Sequence, residues 1–122
     1  MTWKDISELE IYQLGMQIGD ITYSIISNWD HFNKNTIGHQ LIRAADSIPA
    51  NISEGYGRYH YKDQRRFYYI ARGSLFELKT WLNKASRRIP EDGEKIEELL
   101  KLIDLLHLKL NAFIKYVDKK LV

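Results

Sequence analysis

Apolar residues along this chain recur every three or four positions, and strand-type alternation is scarce. The first such run, Ile11, Leu14, Ile18, Ile21 and Ile25, predicts a helix from about Ile6 to Ser27 with one buried stripe. The segment "NWDHFNKN" interrupts it, being rich in the Asn and Asp that favour turns. Asn35 or Thr36 is then expected to cap a second helix, whose stripe is Ile37, Leu41, Ala44, Ile48 and Ile52. Gly55 and Gly57 end it, in the left-handed conformation that glycine adopts without a Cβ penalty. A third helix is expected from near Tyr61 to about Arg87, with Phe67, Ala71, Ser74, Leu78, Leu82 and Ala85 facing inward. Arg87 and Arg88 suit its negative end, while Pro90 opens a last helix whose positive end carries Glu91, Asp92 and Glu94. Along that helix Ile96, Leu99, Ile103, Leu106, Leu110, Phe113 and Val117 form an unbroken heptad series. Helices of ~20–28 residues, roughly 30–40 Å long, with short connections predict an all-α, antiparallel up-down-up-down four-helix bundle. The whole chain, 1–122, reads as one domain.

One stretch departs from this regularity. "SIPANISEGYGR", Ser47–Arg58, holds a proline, two glycines and little bulk inside helical sequence. Pro49 has no N–H and clashes with the carbonyl of Ala45, which predicts a kink in helix two. Ala44, Ala45, Ser47, Ala50 and Ser53 are small enough for a neighbouring backbone to approach closely. Ala71, Gly73 and Ser74 on helix three offer a matching thin face, and Gly73 is expected there because a neighbour needs the space. Asn51 and Glu54 near this contact need partners if buried, with Arg72, Ser74 and Arg43 available. The plainer reading of Glu54 is a solvated residue in the last turn. On helix four, Leu100, Leu102, Leu105, Leu108 and Ile114 lie off the main seam, and self-association is the natural way to bury them.

Composition narrows the function. The chain has 122 residues and 44% hydrophobic content, enough for one core. With no cysteine there is no disulfide, thiolate zinc site or cysteine nucleophile. No run of about 18 apolar residues predicts a membrane span. The start, Met1-Thr2-Trp3-Lys4-Asp5, leads into a charged amphipathic stretch rather than a signal peptide, so the expected location is cytoplasmic. Net charge is +2, but it is unevenly placed. Arg58, Lys62, Arg65, Arg66 and Arg72 stand against a single acid, Asp63, whereas acids dominate from Glu91 to Glu98.

Gly55-Tyr56-Gly57-Arg58 has the outline of a phosphate loop, yet it completes neither a Walker pattern nor a dinucleotide fingerprint, and no strand precedes it. A di-iron bundle needs Glu-x-x-His, which is absent, and His31, His39, His60 and His107 occupy unrelated settings. No enzyme activity, cofactor or metal is therefore expected. The stronger candidate is a nucleic-acid surface of Arg58, Lys62, Arg65 and Arg66 with Tyr59 and Tyr61, and with Tyr56, Tyr68 and Tyr69 interleaved. Cations contact phosphates and aromatics stack on bases. The competing reading makes the charges an ordinary solvated face and the tyrosines packing residues. Exposed apolar residues such as Trp3, Trp29 and Phe32 would serve a protein-binding adaptor instead.

"LIRAADSIPANISEGYGR" followed by "RRFYYIARGSLFELKTWL" resembles the signature of the bacterial four-helix bundle proteins known as 23S rRNA intervening-sequence proteins. The match runs through Arg43, Ala44, Ala45, Ser47, Ile48, Pro49, Asn51, Ile52, Glu54, Gly55, Gly57 and Arg58, then Phe67, Ala71, Gly73, Ser74, Leu75, Glu77 and Leu78. Ser53 stands where alanine is usual, Asp46 and Arg72 fall at variable positions, and "YHYKDQ" replaces a more Ser/Lys-rich start to helix three. The resemblance implies an up-down bundle assembled as a homopentamer. It also extends to the accessory variability determinants of diversity-generating retroelements, basic pentamers that bind nucleic acid and partner a reverse transcriptase. What it implies is a non-enzymatic accessory protein binding RNA or DNA, or a protein-only scaffold of the same fold. Five copies of a chain at +2 would carry about +10 around a ring.

Overall fold

The computed structural model describes residues 4–121. A 3-10 turn, Ile6–Glu8, precedes helix α1, Glu10–Ile26. Helix α2 occupies residues 31–56 and is built from a first α-helical turn, His31–Asn33, a π-helical turn, Lys34–Gly38, and an α-helical body, His39–Tyr56. Helix α3 is Tyr61–Arg88, and a 3-10 turn, Pro90–Asp92, leads into helix α4, Gly93–Lys119. The four helices form the expected antiparallel bundle, with α1 on α2, α2 on α3, α3 on α4 and α4 back on α1. Trp3, one of the apolar residues expected at the surface, lies outside the described residues.

Both early boundaries differ from the sequence expectation, for the same reason: a capping aspartate. Asp5 accepts from the Ser7 N–H, while Glu8 reaches back to the Asp5 N–H at 3.1 Å, so residues 6–8 close as a separate turn and α1 starts only at Glu10. Asp30 accepts from the Asn33 N–H at 3.0 Å and starts α2 at His31, ahead of Asn35 and Thr36. Those two bond backward inside the helix, to the carbonyls of His31 and Phe32. "NWDHFNKN" therefore holds a short turn followed by helix.

The interior stripe of α3 is Gln64, Tyr68, Ala71, Leu75, Leu78, Leu82 and Ala85, a strict alternation of four and three. Phe67 and Ser74, expected inside, are only half-buried, and Tyr68 and Leu75 take their places. On α4 Ile114 is buried and Phe113 half-buried, the reverse of the expectation. The ring of Phe113 instead meets Tyr68 edge to face, with centroids 5.2 Å apart. Trp29 is also buried, at 7% exposure, and its indole N–H donates to Asp92 at 2.6 Å. That bond ties the α1–α2 turn to the α3–α4 turn, so Trp29 is a structural latch and is not free for a partner. Phe32, by contrast, is exposed as expected.

Pro49 is buried, and the helical run continues through it from His39 to Tyr56. It packs toward α1, where a Cβ on Gly15 would stand 3.3 Å from the Pro49 Cβ. Gly55 serves α3 in the same way. A Cβ there would lie 2.9 Å from Phe67 Cβ and Tyr68 Cε1. Gly57 closes α2 at φ −79°, ψ −6°, and among the described residues no φ is positive, so the left-handed cap does not occur. Gly73 breaks the expectation most clearly: it is exposed, and a Cβ would meet nothing within 4 Å. The close approach of α2 to α3 is made at Gly55, against Gln64, Phe67 and Tyr68, without it.

Candidate nucleic-acid interface

The end of the bundle that carries the basic residues is where α2 stops and α3 starts. Gly57 ends α2, and Arg58, Tyr59 and His60 make the connection. Two buried side chains hold this turn from beneath. Gln64, only 3% exposed, donates from Nε2 to the Arg58 carbonyl at 3.0 Å. The Tyr68 hydroxyl donates to Gln64 Oε1 at 3.1 Å. Burial pushes the Tyr68 hydroxyl pKa far up, with a smaller contribution from Tyr56, so it remains a neutral donor. Tyr56 reaches the other way and donates to the Lys4 carbonyl at 2.8 Å. Gln64 escaped the sequence reading because a glutamine interrupts an apolar stripe. Its position four before Tyr68 was the available signal.

The four candidate cations separate into two kinds. Arg65 forms an ion pair with Asp118 on α4 at 3.1 Å and is half-buried. Arg58 pairs with Glu54 one turn earlier at 2.7 Å, which gives Glu54 its plainer, last-turn role. Lys62 and Arg66 are exposed, and neither has a carboxylate partner among the described residues. The guanidinium of Arg66 lies 5.0 Å from the centroid of Phe67, and that of Arg58 lies 4.8 Å from the same ring. Phe67 thus steadies two cations at the surface. The N-cap residue of α3, His60, makes no side-chain cap, so the helix presents its first N–H groups to the same region.

The tyrosines separate as sharply. Tyr59 is 90% exposed, and among the described residues its ring pairs with that of His60, edge to face at 4.9 Å. Tyr61 is half-buried against the core, and Tyr68 is wholly interior. Tyr69 lies under Arg72 at 4.9 Å. Of the residues expected to form a polar network with Asn51 and Glu54, none does so. Asn51 donates to the Ser47 carbonyl in its own helix at 2.7 Å. Arg72 donates to Asn111 on α4 at 3.1 Å, and Arg43 pairs with Glu77. Ser74 is half-buried on α3. Trp81 and then Arg43 bond the Glu77 carboxylate and hold its pKa below the usual value of 4.5.

Along the outer seam between α3 and α4, Arg65 meets Asp118, Arg72 meets Asn111, Phe76 meets His107 and Lys79 meets Asp104. Each advance along α3 is matched by an equal retreat along α4, as an antiparallel pair requires. Beside this ladder Phe76, Leu105 and Leu108 remain exposed. Among the described residues no helix is long and apolar enough to cross a membrane, and no group of three or more His, Cys, Asp or Glu is placed to hold a metal.

Comparison with known proteins fits this architecture. A crystal structure of a Bacteroides thetaiotaomicron VPI-5482 protein of unknown function, from the S23 ribosomal protein family, superposes with a TM-score of 0.76. It covers 86% of this chain and 98% of that one at 20% identity, a likeness that speaks for the fold. No curated protein matches the sequence significantly. The sequence profile of the 23S rRNA-intervening sequence proteins matches residues 7–112, nearly the entire bundle, and the chain belongs to that family.

Proposed function

We propose that this chain is a non-enzymatic accessory protein that assembles with copies of itself, as a homopentamer, and binds RNA through the basic turn between α2 and α3. The observation that carries the reading is the pair of cations without carboxylate partners, Lys62 and Arg66, next to the exposed ring of Tyr59. Positive side chains at a helix N-terminus oppose its dipole, so their placement costs stability that a bound phosphate would recover. Arg58, shared with Glu54 and resting on Phe67, completes the set. Arg65 and Tyr61 support it from within the fold. Assembly rests on the exposed Phe76, Leu105 and Leu108, which a second copy would cover. Repetition of the patch around a ring would multiply a modest charge into a strong field.

The test is Lys62→Glu combined with Arg66→Glu. Both side chains are exposed and make no ion pair among the described residues, and added acids near a helix N-terminus favour its dipole, whereas Arg65→Glu would break the ion pair to Asp118. Helicity and particle mass are expected to stay unchanged, while RNA binding at low salt is lost and the wild-type salt dependence disappears with it. RNA binding that survives the double change overturns the assignment. A wild-type assembly that ignores RNA even at low salt leaves the other reading, a protein-only scaffold that uses the Phe76 and Leu108 ridge. A reverse transcriptase is the partner that such a scaffold would meet in a retroelement.

A further inference from the structure

Resting on that reading, we infer that the site takes a single strand, with an unpaired base stacked on Tyr59 and the flanking phosphates held by Arg58, Lys62 and Arg66. Tyr59 is the most exposed large hydrophobic side chain among the described residues, at 90%. Its hydroxyl makes no hydrogen bond among those residues, and its one ring contact is edge to face with His60. A ring left this open at the tip of a turn does not pack the bundle.

The turn beneath it is firmly held. Arg58 donates its N–H to the Gly55 carbonyl and accepts from buried Gln64, each at 3.0 Å, and Tyr68 fixes Gln64 in turn. The ring is therefore presented from a braced support, which lowers the ordering cost of stacking. Cations stand on both sides of Tyr59 in the chain: Arg58 immediately before it, and Lys62 and Arg66 on the first turns of α3.

This arrangement separates two substrate forms. In a duplex the faces of the bases are already stacked on one another, so a protruding tyrosine finds only edges and sugar-phosphate. In a single strand the faces are free, and every base offers one. The phosphates answer to the cations in either form. The ring should then matter for single strands alone, and the cations for both.

Fluorescence anisotropy with a labelled 20-nucleotide oligouridine and a 20-base-pair RNA duplex, each over the same salt series, tests this. Tyr59→Ala is expected to weaken single-strand binding by about tenfold. Duplex binding, the salt slope and the particle mass are expected to be unchanged. Tyr59→Phe keeps the ring and is expected to retain single-strand affinity. If Tyr59→Ala is silent, or weakens both substrates equally, the single-strand assignment is overturned while RNA binding itself stands. If the wild type binds neither substrate at low salt, the functional reading falls and this one with it.

Discussion

Gly55 and Gly73 lie on opposite sides of the same helix pair, and they do opposite things. At Gly55 a Cβ would press on Phe67, Tyr68 and the Gln64 carbonyl oxygen, the last at 3.0 Å, so the missing side chain lets α2 lie directly on α3. At Gly73 nothing stands within 4 Å, and the neighbours on that face are the exposed Tyr69, Ile70 and Phe76. Within one chain the first glycine is a packing device. The second costs helix stability of about 1 kcal/mol and returns nothing inside the monomer. The contrast teaches that the inner contacts of this bundle are complete, while the outer α3–α4 face is not. It also locates the base of the candidate interface, because the residues that press on Gly55 are those that brace the Arg58–His60 turn.

The largest effect is expected at Gly55. Gly55→Ala should cost about 1–2 kcal/mol net, overpacking of ~1–3 kcal/mol being partly offset by better helix propensity. Urea unfolding measures it, and an unchanged midpoint would show that α3 can simply move away. Tyr68→Phe should cost about 1 kcal/mol, since it strips Gln64 Oε1 of its donor in a buried site. Gly73→Ala should raise the stability of the isolated chain by about 0.5–1 kcal/mol. A loss of stability or a smaller particle mass in the same experiment would mean that a neighbouring copy sits over Gly73.

The smallest effect lies at the far end of the bundle. The Asn33 backbone N–H, then its side chain, hold the Asp30 carboxyl below its usual value of 3.8. A folded pKa below the unfolded one contributes stability that is whole above the unfolded value and is lost as pH falls through the folded one. Asp30→Asn keeps an acceptor for the cap but removes the titration. The acid limb of the stability profile, followed by circular dichroism from pH 5 downward, should therefore be slightly shallower in the variant. An identical limb would assign acid unfolding to other carboxylates.

Much of the fold was legible because amphipathic periodicity is a local property. The stripe of α2, the start of α3 at Tyr61, the proline that opens the α3–α4 turn and most of the leucine seam of α4 follow from spacing and capping chemistry. On α1 Ile11, Ile18 and Ile25 are buried as expected, but Leu14 and Ile21 are half-buried and Gly15, Gly19 and Thr22 lie inside. The resemblance carried by "SIPANISEGYGR" pointed to the family that the profile match then established. Less of the candidate site was legible. Arg58, Lys62, Arg65 and Arg66 look alike in sequence, and so do Tyr59, Tyr61 and Tyr68.

What the sequence determined by itself is an all-helical chain with four amphipathic segments, a thin, proline-bearing second helix and a basic junction between helices two and three. What tertiary structure decided is the use of each residue. It turned Trp29 from a surface residue into a latch to Asp92, and drew Tyr68 and Gln64 inside to brace a turn. It committed Arg65 to Asp118 while leaving Lys62 and Arg66 without a carboxylate among the described residues, and left Gly73 uncovered there. The physical reason is that periodicity sets which face of a helix is apolar. Which side chain on the boundary of that face is buried, paired or free depends on the neighbouring helix, and that neighbour is distant in sequence.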